Sequence, residues 1–377
     1  MRVYNFVVTG LLLVILINLL NNLRLLKSFK GSNKRNKKMP FVSVLIPARN
    51  ESGNIEKCVL SILEQDYPNF EVMVFNDNSL DDTLMKLERI KEKYPQLKIY
   101  TNDFLPPGWT GKNFACHFLS KYAKGEWLLF TDADTVHSQD SISLAVNSAI
   151  EEKADLLSIM PDLVMGTLSE KLFIPLVHFA FFSFIPLGLM NSIKNPNVVI
   201  ALGPFMLINS KFYRKIGGHE KIKDKIVDDL ELAKEVKRNG GKVVFMDGRE
   251  KVSLRFYDNF KDLWNGFSKN SFGAFNNSII AFLLFISFIL SLYLFPIFSF
   301  VLGIVRFKLG FFSTIQFFLI LLHRYFLSAR FKINYWLIFL HPFALIFALL
   351  IALNSMRLTL LNKAVTWKGR IYRILST

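Results

Sequence analysis

Acidic residues are missing from both ends of this 377-residue chain. Residues 1 to 40 hold eight Lys or Arg and no Asp or Glu, and residues 271 to 377 hold ten and none, which leaves 28 basic and 30 acidic residues between them. The net charge of +16 thus belongs to the flanks, beside apolar runs. A membrane with anionic lipids selects that distribution, and it argues against a nucleic-acid role. Cysteine is scarce as well. Cys58 and Cys116 fit neither a metal-ligand spacing nor a disulfide framework, so a reduced, cytosolic setting is expected for the middle of the chain. No Gly-x-Gly-x-x-Gly follows the first strand-like run, so a dinucleotide fingerprint is absent. Gly108-Trp109-Thr110-Gly111-Lys112 is only part of a phosphate loop: Pro106 replaces the upstream glycine and Asn113 follows the lysine, which excludes a Walker-type NTPase.

What is present is apolar and aromatic: 51% hydrophobic residues and 38 Phe. Val3 to Leu20 is long enough to cross a bilayer as a helix. The residues after it offer no small-residue cleavage site, and the basic tract Arg24, Lys27, Lys30, Lys34, Arg35, Lys37, Lys38 follows. An anchor is expected, with the tract and the next domain on the cytoplasmic side.

From Phe41 short β-rich runs alternate with helical stretches, an α/β pattern. Strands are expected at Val42 to Ile46, Phe70 to Phe75, Leu97 to Tyr100, Trp127 to Thr131, Leu156 to Ile159 and Lys242 to Met246, with helices over Asn54 to Gln65 and Leu80 to Tyr94. Strand ends turn polar repeatedly: Pro47-Ala48-Arg49-Asn50-Glu51, Asn76-Asp77-Asn78-Ser79 and Asp132-Ala133-Asp134. In α/β sheets ligands bind beyond the carboxyl ends of the strands. Asp-x-Asp by itself is a common triplet. At such an edge its oxygens can gather a divalent cation and hold a diphosphate. The turn at Gly108 to Lys112 opens a helix and offers backbone amides and one ammonium to a diphosphate, or is an ordinary loop. Farther on, Asp228 and Asp229 begin a helix, where acids favour the amino end, and one of them can equally serve as a general base. The basic and aromatic stretch Arg255-Phe256-Tyr257, then Trp264 to Asn270, reads as membrane-edge anchoring or as part of the site.

Leu172 to Met190 is apolar over 19 residues. A crossing there would put Asp132 and Asp134 on one side of the membrane and Asp228 on the other, and Pro175, His178 and Pro186 interrupt it. A helix or helix pair lying in the interface or lining the acceptor entrance is expected instead, with a buried core helix as the alternative. Ser278 to Val305 and Tyr335 to Leu353 can each cross, while Phe311 to Leu322 is shorter, so two or three carboxyl-terminal crossings are both compatible with the sequence. The expected organisation is an anchor and basic linker at 1–40, a catalytic domain at 41–270 with an interfacial segment at 172–190, and a membrane region at 271–377.

These residues resemble the family 2 glycosyltransferases, through Val42 to Glu51, Asn76-Asp77-Asn78-Ser79-Leu80-Asp81-Asp82-Thr83, Thr131-Asp132-Ala133-Asp134 and Asp228-Asp229. Pro107-Gly108-Trp109-Thr110-Gly111-Lys112 and the tail Thr366-Trp367-Lys368-Gly369-Arg370 are similar to the membrane-anchored branch that includes bacterial carotenoid (diaponeurosporenoate) and hopene-associated glycosyltransferases. The resemblance implies a Rossmann-like GT-A nucleotide-sugar domain, with Pro47, Arg49, Glu51 and Asp77 lining the nucleoside pocket. It further implies that Asp132 and Asp134 hold Mg2+ or Mn2+ and the diphosphate, Asp134 the more direct ligand, and that Asp229 is the base of an inverting transfer. Lys112, Arg255 and Lys269 would add positive charge at the leaving diphosphate. The implied partners are a nucleotide-sugar donor such as UDP-glucose, a lipid or terpenoid acceptor, and the membrane; diacylglycerol, a polyprenyl phosphate or a non-catalytic role stay open. Two departures stand out. The usual Glu-Asp pair is Asp228-Asp229, and the Gln-x-x-Arg-Trp motif of processive synthases is replaced by Trp264-Asn265-Gly266-Phe267-Ser268-Lys269-Asn270, which argues against a polymerase.

Overall fold

A computed structural model of the chain describes residues 2–29, 39–102, 104–275, 277–361, 365–367 and 370–372. Most of the basic linker (residues 30–38), and Lys368 and Gly369 of the tail motif, lie outside the described residues. The chain divides into two compact units whose segments interleave along the sequence. One comprises Leu26–Val164 and Leu189–Phe256, the other Met1–Leu25, Met165–Gly188 and Tyr257–Thr377.

The first unit is built on a seven-stranded sheet. Its strands are β1 (Val42–Ala48), β2 (Phe70–Asn76), β3 (Leu97–Thr101), β4 (Trp127–Phe130), β6 (Leu156–Met160), β8 (Met206–Asn209) and β9 (Val243–Asp247), in the order β3-β2-β1-β4-β8-β6-β9. β1 reads Val-Ser-Val-Leu-Ile-Pro-Ala and is buried on both faces over nearly its whole length, the pattern of a central parallel strand covered by helices. It pairs in parallel with β2 and with β4, Leu45 standing beside Met73 on one side and Phe130 on the other. Because β1 goes to β2 and β3 on one flank while β4 lies on the other, the strand order reverses between β1 and β4. That is where an open α/β sheet leaves a crevice. The core beneath it gathers Val44, Ile46, Val59, Ile62, Val74, Leu129, Ile142 and Leu207.

The predicted strands appear within two residues of their expected ends. Missing from the sequence reading are β8 and a small second sheet of β5 (Thr135–His137), β10 (Val252–Leu254) and β7 (Asp162–Leu163), ordered β5-β10-β7. β8 runs antiparallel between β4 and β6. It has four residues directly after the Gly203-Pro204 turn, too short for an alternation to announce it.

Among its described residues the second unit holds four helices long and apolar enough to cross a membrane: Arg2–Leu25, Ile279–Val305, Phe311–Phe331 and His341–Leu360. The stretch that looked short, Phe311 to Leu322, continues through His323 and Arg324 to Phe331 and reaches 21 residues. Pairs of helices fill the interrupted apolar segment, Leu168–Phe173 opened by a Thr167–Glu170 capping box and Pro175–Phe184 with proline in its first turn. Asn22, fully buried in the first long helix, ties this segment down. Its amide donates to the Phe182 and Ile185 carbonyls at 2.8 and 2.6 Å, and its carbonyl oxygen accepts from the Leu187 N–H at 2.8 Å. Phe173, Leu263 and Ile351 form a further buried cluster here with Trp264 and Phe347 against it. Of the tail, β11 (Val365–Trp367) and β12 (Arg370–Tyr372) pair antiparallel.

Candidate active site

The loops after β1 and β2 are fastened to each other. Asn50 and Asn78 both adopt positive φ, 50° and 49°, the left-handed conformation that asparagine tolerates better than most residues. The Asn50 N–H donates to Ser79 Oγ at 3.0 Å, and the Leu80 N–H returns a bond to Asn50 Oδ1 at 2.8 Å. Glu51 N–H reaches Thr83 Oγ1 at 2.8 Å and Ser52 N–H reaches Asp81 Oδ2 at 3.0 Å. Arg49 donates through Nη1 to the carbonyls of Asp77 and Asn78. The two motifs therefore form one rigid edge. Pro47, at the end of β1 beside Phe75, and the buried carboxylates of Glu51 and Asp77 are presented along it.

Asp132 and Asp134 follow β4, on the neighbouring strand. Beneath them Thr135 Oγ1 donates to the Asp132 carbonyl at 2.8 Å, and Thr131 Oγ1 donates to the Pro204 carbonyl at 2.7 Å. His137 Nε2 lies 2.9 Å from the Thr135 hydroxyl and 3.1 Å from that of Thr131. Burial pushes His137 down to about 3, so it is a neutral crosslink. Cys58 Sγ sits 3.5 Å from the Asp132 carbonyl. Its thiol is pushed up to about 12, first by burial and further by Asp134, Glu51 and Asp132. One buried thiol thus senses carboxylates from both loops.

The third acidic group joins through Lys112. Thr110 caps the helix Gly111–Tyr122, its hydroxyl accepting from the Asn113 N–H, so Lys112 stands in the first turn. Its Nζ lies 2.7 Å from Asp132 Oδ1 and 3.3 Å from Asp228 Oδ2. Burial alone would push this ammonium down. Asp132, Asp228 and Asp229 outweigh that and hold it well above its ordinary value, so it is a fixed positive charge. Asn113, fully buried, donates to the carbonyls of Ile222 and Lys225 at 2.7 and 2.8 Å, fastening the loop that leads to Asp228.

Asp228 and Asp229 begin the helix Asp228–Arg238. Each Asp229 oxygen accepts a backbone N–H, Oδ1 from Leu230 at 2.7 Å and Oδ2 from Gly203 at 2.9 Å. Burial, then the Asp228 charge, push Asp229 up to about 6 against Lys112 and those two donors. The group is ionised at neutral pH and readily protonated just below it, as a general base requires. Sequence reading missed Gly203. A Cβ there would lie 2.9 Å from Lys112 Nζ, 3.3 Å from Asp132 Oδ2 and 3.6 Å from Asp229 Oδ2, so a side chain at this position would displace the ammonium from the cluster. Its sole signal was a Gly-Pro step at the end of an apolar run.

Lys112, Asp132, Asp228 and Asp229 are therefore assembled, with Asp134, Glu51 and Asp77 on the adjoining loops. Arg255 follows β10 in the same unit. Trp264 and Lys269 belong to the other unit, where Trp264 stacks on Phe260 with ring centroids 5.9 Å apart. Among the described residues no group of three or more His, Cys, Asp or Glu is gathered as a cation cage. Asp132 and Asp134 provide carboxylate oxygens only. That donor set fits a hard divalent cation that takes its remaining ligands from a diphosphate and water, in the manner of Mg2+.

The family model of glycosyl transferase family 2 matches residues 43–217. Among curated proteins, the 4,4'-diaponeurosporenoate glycosyltransferase of Staphylococcus haemolyticus is 28% identical over 259 residues, covering 67% of this chain and 66% of that protein. The Staphylococcus aureus (strain USA300) protein of the same name is 27% identical over 237 residues, covering 61% of this chain and 60% of that protein. The chain thus spans somewhat less than two thirds of the length of these relatives. Among solved structures, a mannosyltransferase from Pyrobaculum calidifontis, in complex with GDP-mannose and Mn2+, superposes with TM-score 0.56 over 93% of this chain and 98% of that one, at 17% identity. That likeness concerns the fold.

Proposed function

Since residues 43–217 form a family 2 glycosyl transferase domain of GT-A-like fold, we propose that the protein is a membrane-associated inverting glycosyltransferase. In this reading it moves a sugar from a nucleotide-sugar donor, UDP-glucose, to a lipid acceptor of the carotenoid-acid type, with residues 41–270 as the catalytic region facing the cytoplasm and 1–40 and 271–377 as membrane segments. The observation that carries the reading is the cluster of Lys112, Asp132, Asp228 and Asp229 beside the β1–β4 crevice. The names of the staphylococcal relatives support the acceptor class.

Pro47, Arg49, Glu51 and Asp77 line the nucleoside end. Asp132 and Asp134 would hold Mg2+ or Mn2+ together with the donor diphosphate, and the bound cation would supply Lewis-acid neutralisation of charge on the departing group. Asp229 takes the proton from an acceptor hydroxyl, or accepts a hydrogen bond from an acceptor carboxylic acid. Its two backbone donors fix the carboxylate plane and leave lone pairs for that contact. Lys112 keeps three neighbouring carboxylates tolerable in one place and offers its charge to the diphosphate, with Arg255 of the same unit as a further donor contact. The four apolar helices supply a hydrocarbon environment for the acceptor.

The test uses membranes carrying the protein, incubated with radiolabelled UDP-glucose and a carotenoid acid, with and without EDTA. Label entering the lipid fraction only when the divalent cation is available is the expected result. No cation-dependent transfer from UDP-, GDP- or dTDP-sugars to any lipid would overturn the enzyme reading.

A further inference from the structure

Some of the polar groups that the apolar unit buries are satisfied within it. Asn22 makes three hydrogen bonds, and Gln316, 1% exposed, donates to the Asn5 carbonyl at 3.2 Å and to Thr9 Oγ1 at 3.1 Å. Among the described residues Ser183 Oγ and Asn277 Oδ1 are exceptions, and a larger group of exceptions lies on the helices between Ile279 and Leu360. Tyr293, His323, Arg324, Ser328 and His341 are all at most 2% exposed. Among the described residues Tyr293 Oη, His323 Nε2, Arg324 Nε, Ser328 Oγ and both ring nitrogens of His341 have no hydrogen-bond partner. The Tyr293 ring lies 6.3 Å from that of His323 and 5.9 Å from that of His341, and His341 is within Coulombic reach of Arg324 and His323. Ser328 is four residues after Arg324 on one helix, so both face the same way.

Charge makes the case specific. Arg324 has one polar partner among the described residues, the Pro175 carbonyl 3.3 Å from Nη1. The unit's only acids are Glu170, Asp258 and Asp262, and residues 271–377 contain none. Glu170 already accepts from the Thr167 N–H at 2.6 Å, and Asp262 from Asn259 Nδ2 at 2.8 Å. A guanidinium inside membrane-spanning helices is costly without a counter-charge and marks a functional site when it occurs. Tyr293 also stands in a π-helical turn, Leu290–Leu294, inside the Ile279–Val305 helix, a distortion that recurs at functional sites.

We propose that Arg324, Tyr293, His323 and His341 form a binding site for the oxyanion headgroup of an amphiphile, a carboxylate or phosphate on a hydrocarbon tail. The guanidinium fork matches either headgroup with two parallel N–H donors. The tyrosine hydroxyl, the serine hydroxyl and the imidazoles supply the outer hydrogen bonds. Phe179, with its ring 5.2 Å from Tyr293 and 5.1 Å from His341, gives the beginning of the tail an apolar wall. The inference concerns residues outside the transferase cluster and stands whether or not the transfer reading does.

The experiment uses the full chain in neutral maltoside micelles, with ligand retention read by native mass spectrometry and by thermal unfolding. The probes are oleate, dioleoyl phosphatidic acid, oleyl alcohol and inorganic phosphate. The wild type should retain oleate or phosphatidic acid and be stabilised by it, while oleyl alcohol and inorganic phosphate bind at least about tenfold more weakly. R324Q should lose at least about tenfold in affinity for the anionic probes, with R324K recovering part of it. Y293F, which removes one hydroxyl and keeps the ring, should weaken the same probes and guards against an R324Q chain that does not fold. Equal retention of oleate and oleyl alcohol by the wild type, or unchanged anionic binding in both R324Q and Y293F, overturns the site. Inorganic phosphate binding as tightly as phosphatidic acid overturns the amphiphile assignment.

Discussion

Two buried polar clusters, one in each unit, differ in how their charge is settled. In the sheet unit three aspartates share one lysine, and Asp229 is held by two backbone amides, so each of these carboxylates has a partner within the chain although the group stays net negative. In the apolar unit Arg324 stands among histidines, a serine and a tyrosine with no carboxylate partner among the described residues. A net-negative cluster held by partners within the chain can wait preorganised for a cation, whereas a lone positive charge among apolar helices calls for an anion from outside the chain. Substitutions in the two clusters should therefore behave differently.

The largest effect expected is at the base. Asp229→Asn keeps only one of the two backbone contacts, because its amide nitrogen cannot accept an N–H, and it cannot take a proton; transfer should fall by about 10²–10⁴-fold while donor binding by titration stays near wild type. An active Asn variant removes Asp229 from the base role. On the apolar side, Asn22→Ala strips hydrogen bonds from two carbonyls and one amide and should cost about 2–3 kcal/mol, read as a lower unfolding temperature in detergent. An unchanged midpoint would mean that the 165–188 segment is held by apolar packing alone. Gly203→Ala is a milder probe of preorganisation. The new Cβ meets the flexible end of Lys112, so stability should barely move, yet turnover should drop by roughly tenfold as the ammonium is displaced. Equal losses of stability and activity would assign Gly203 to folding only.

The pH profile is the finest test. With Asp229 at about 6, transfer should be constant near neutral pH and decline as pH falls through about 6. Asp228→Asn removes a neighbouring negative charge and should move that decline toward lower pH. Linkage has the opposite sign from the usual aspartate: the folded state binds this proton more readily than the unfolded chain. Asp229 therefore costs stability above about 6, and the cost shrinks as pH falls from there toward the ordinary carboxyl range.

Much of the sheet unit was legible because β1 to β4 are apolar runs that stop at polar motifs, and period and turn chemistry are local properties. The Asp81 and Thr83 positions illustrate the limit. The motif containing them was read as donor-binding, while their side chains serve to lock the neighbouring loop through Ser52 and Glu51. Gly203 was invisible since its function lies in an N–H aimed at a residue 26 positions on, and nothing local encodes that approach. The 172–190 stretch was too apolar for hydropathy to separate crossing from packing, and the need for Asp132 and Asp229 to share a compartment served as the guide. The interleaving of Met165–Gly188 with the terminal helices into one unit is a matter of contacts that no contiguous reading supplies.

By itself the sequence determined the α/β character, the acidic strand ends, the family resemblance and the apolar flanks with their one-sided charge, because each is written in neighbouring residues. Tertiary structure decided which carboxylates meet. Lys112 joins Asp132 to Asp228, and Gly203 reaches Asp229, only after the sheet has brought β4 and the Gly111–Tyr122 and Asp228–Arg238 helices together. It likewise decided that Tyr293, Arg324 and His341, from three helices, share one buried place. Burial and long-range proximity set the protonation and the electrostatic demand of both clusters, and neither quantity exists in an unfolded chain.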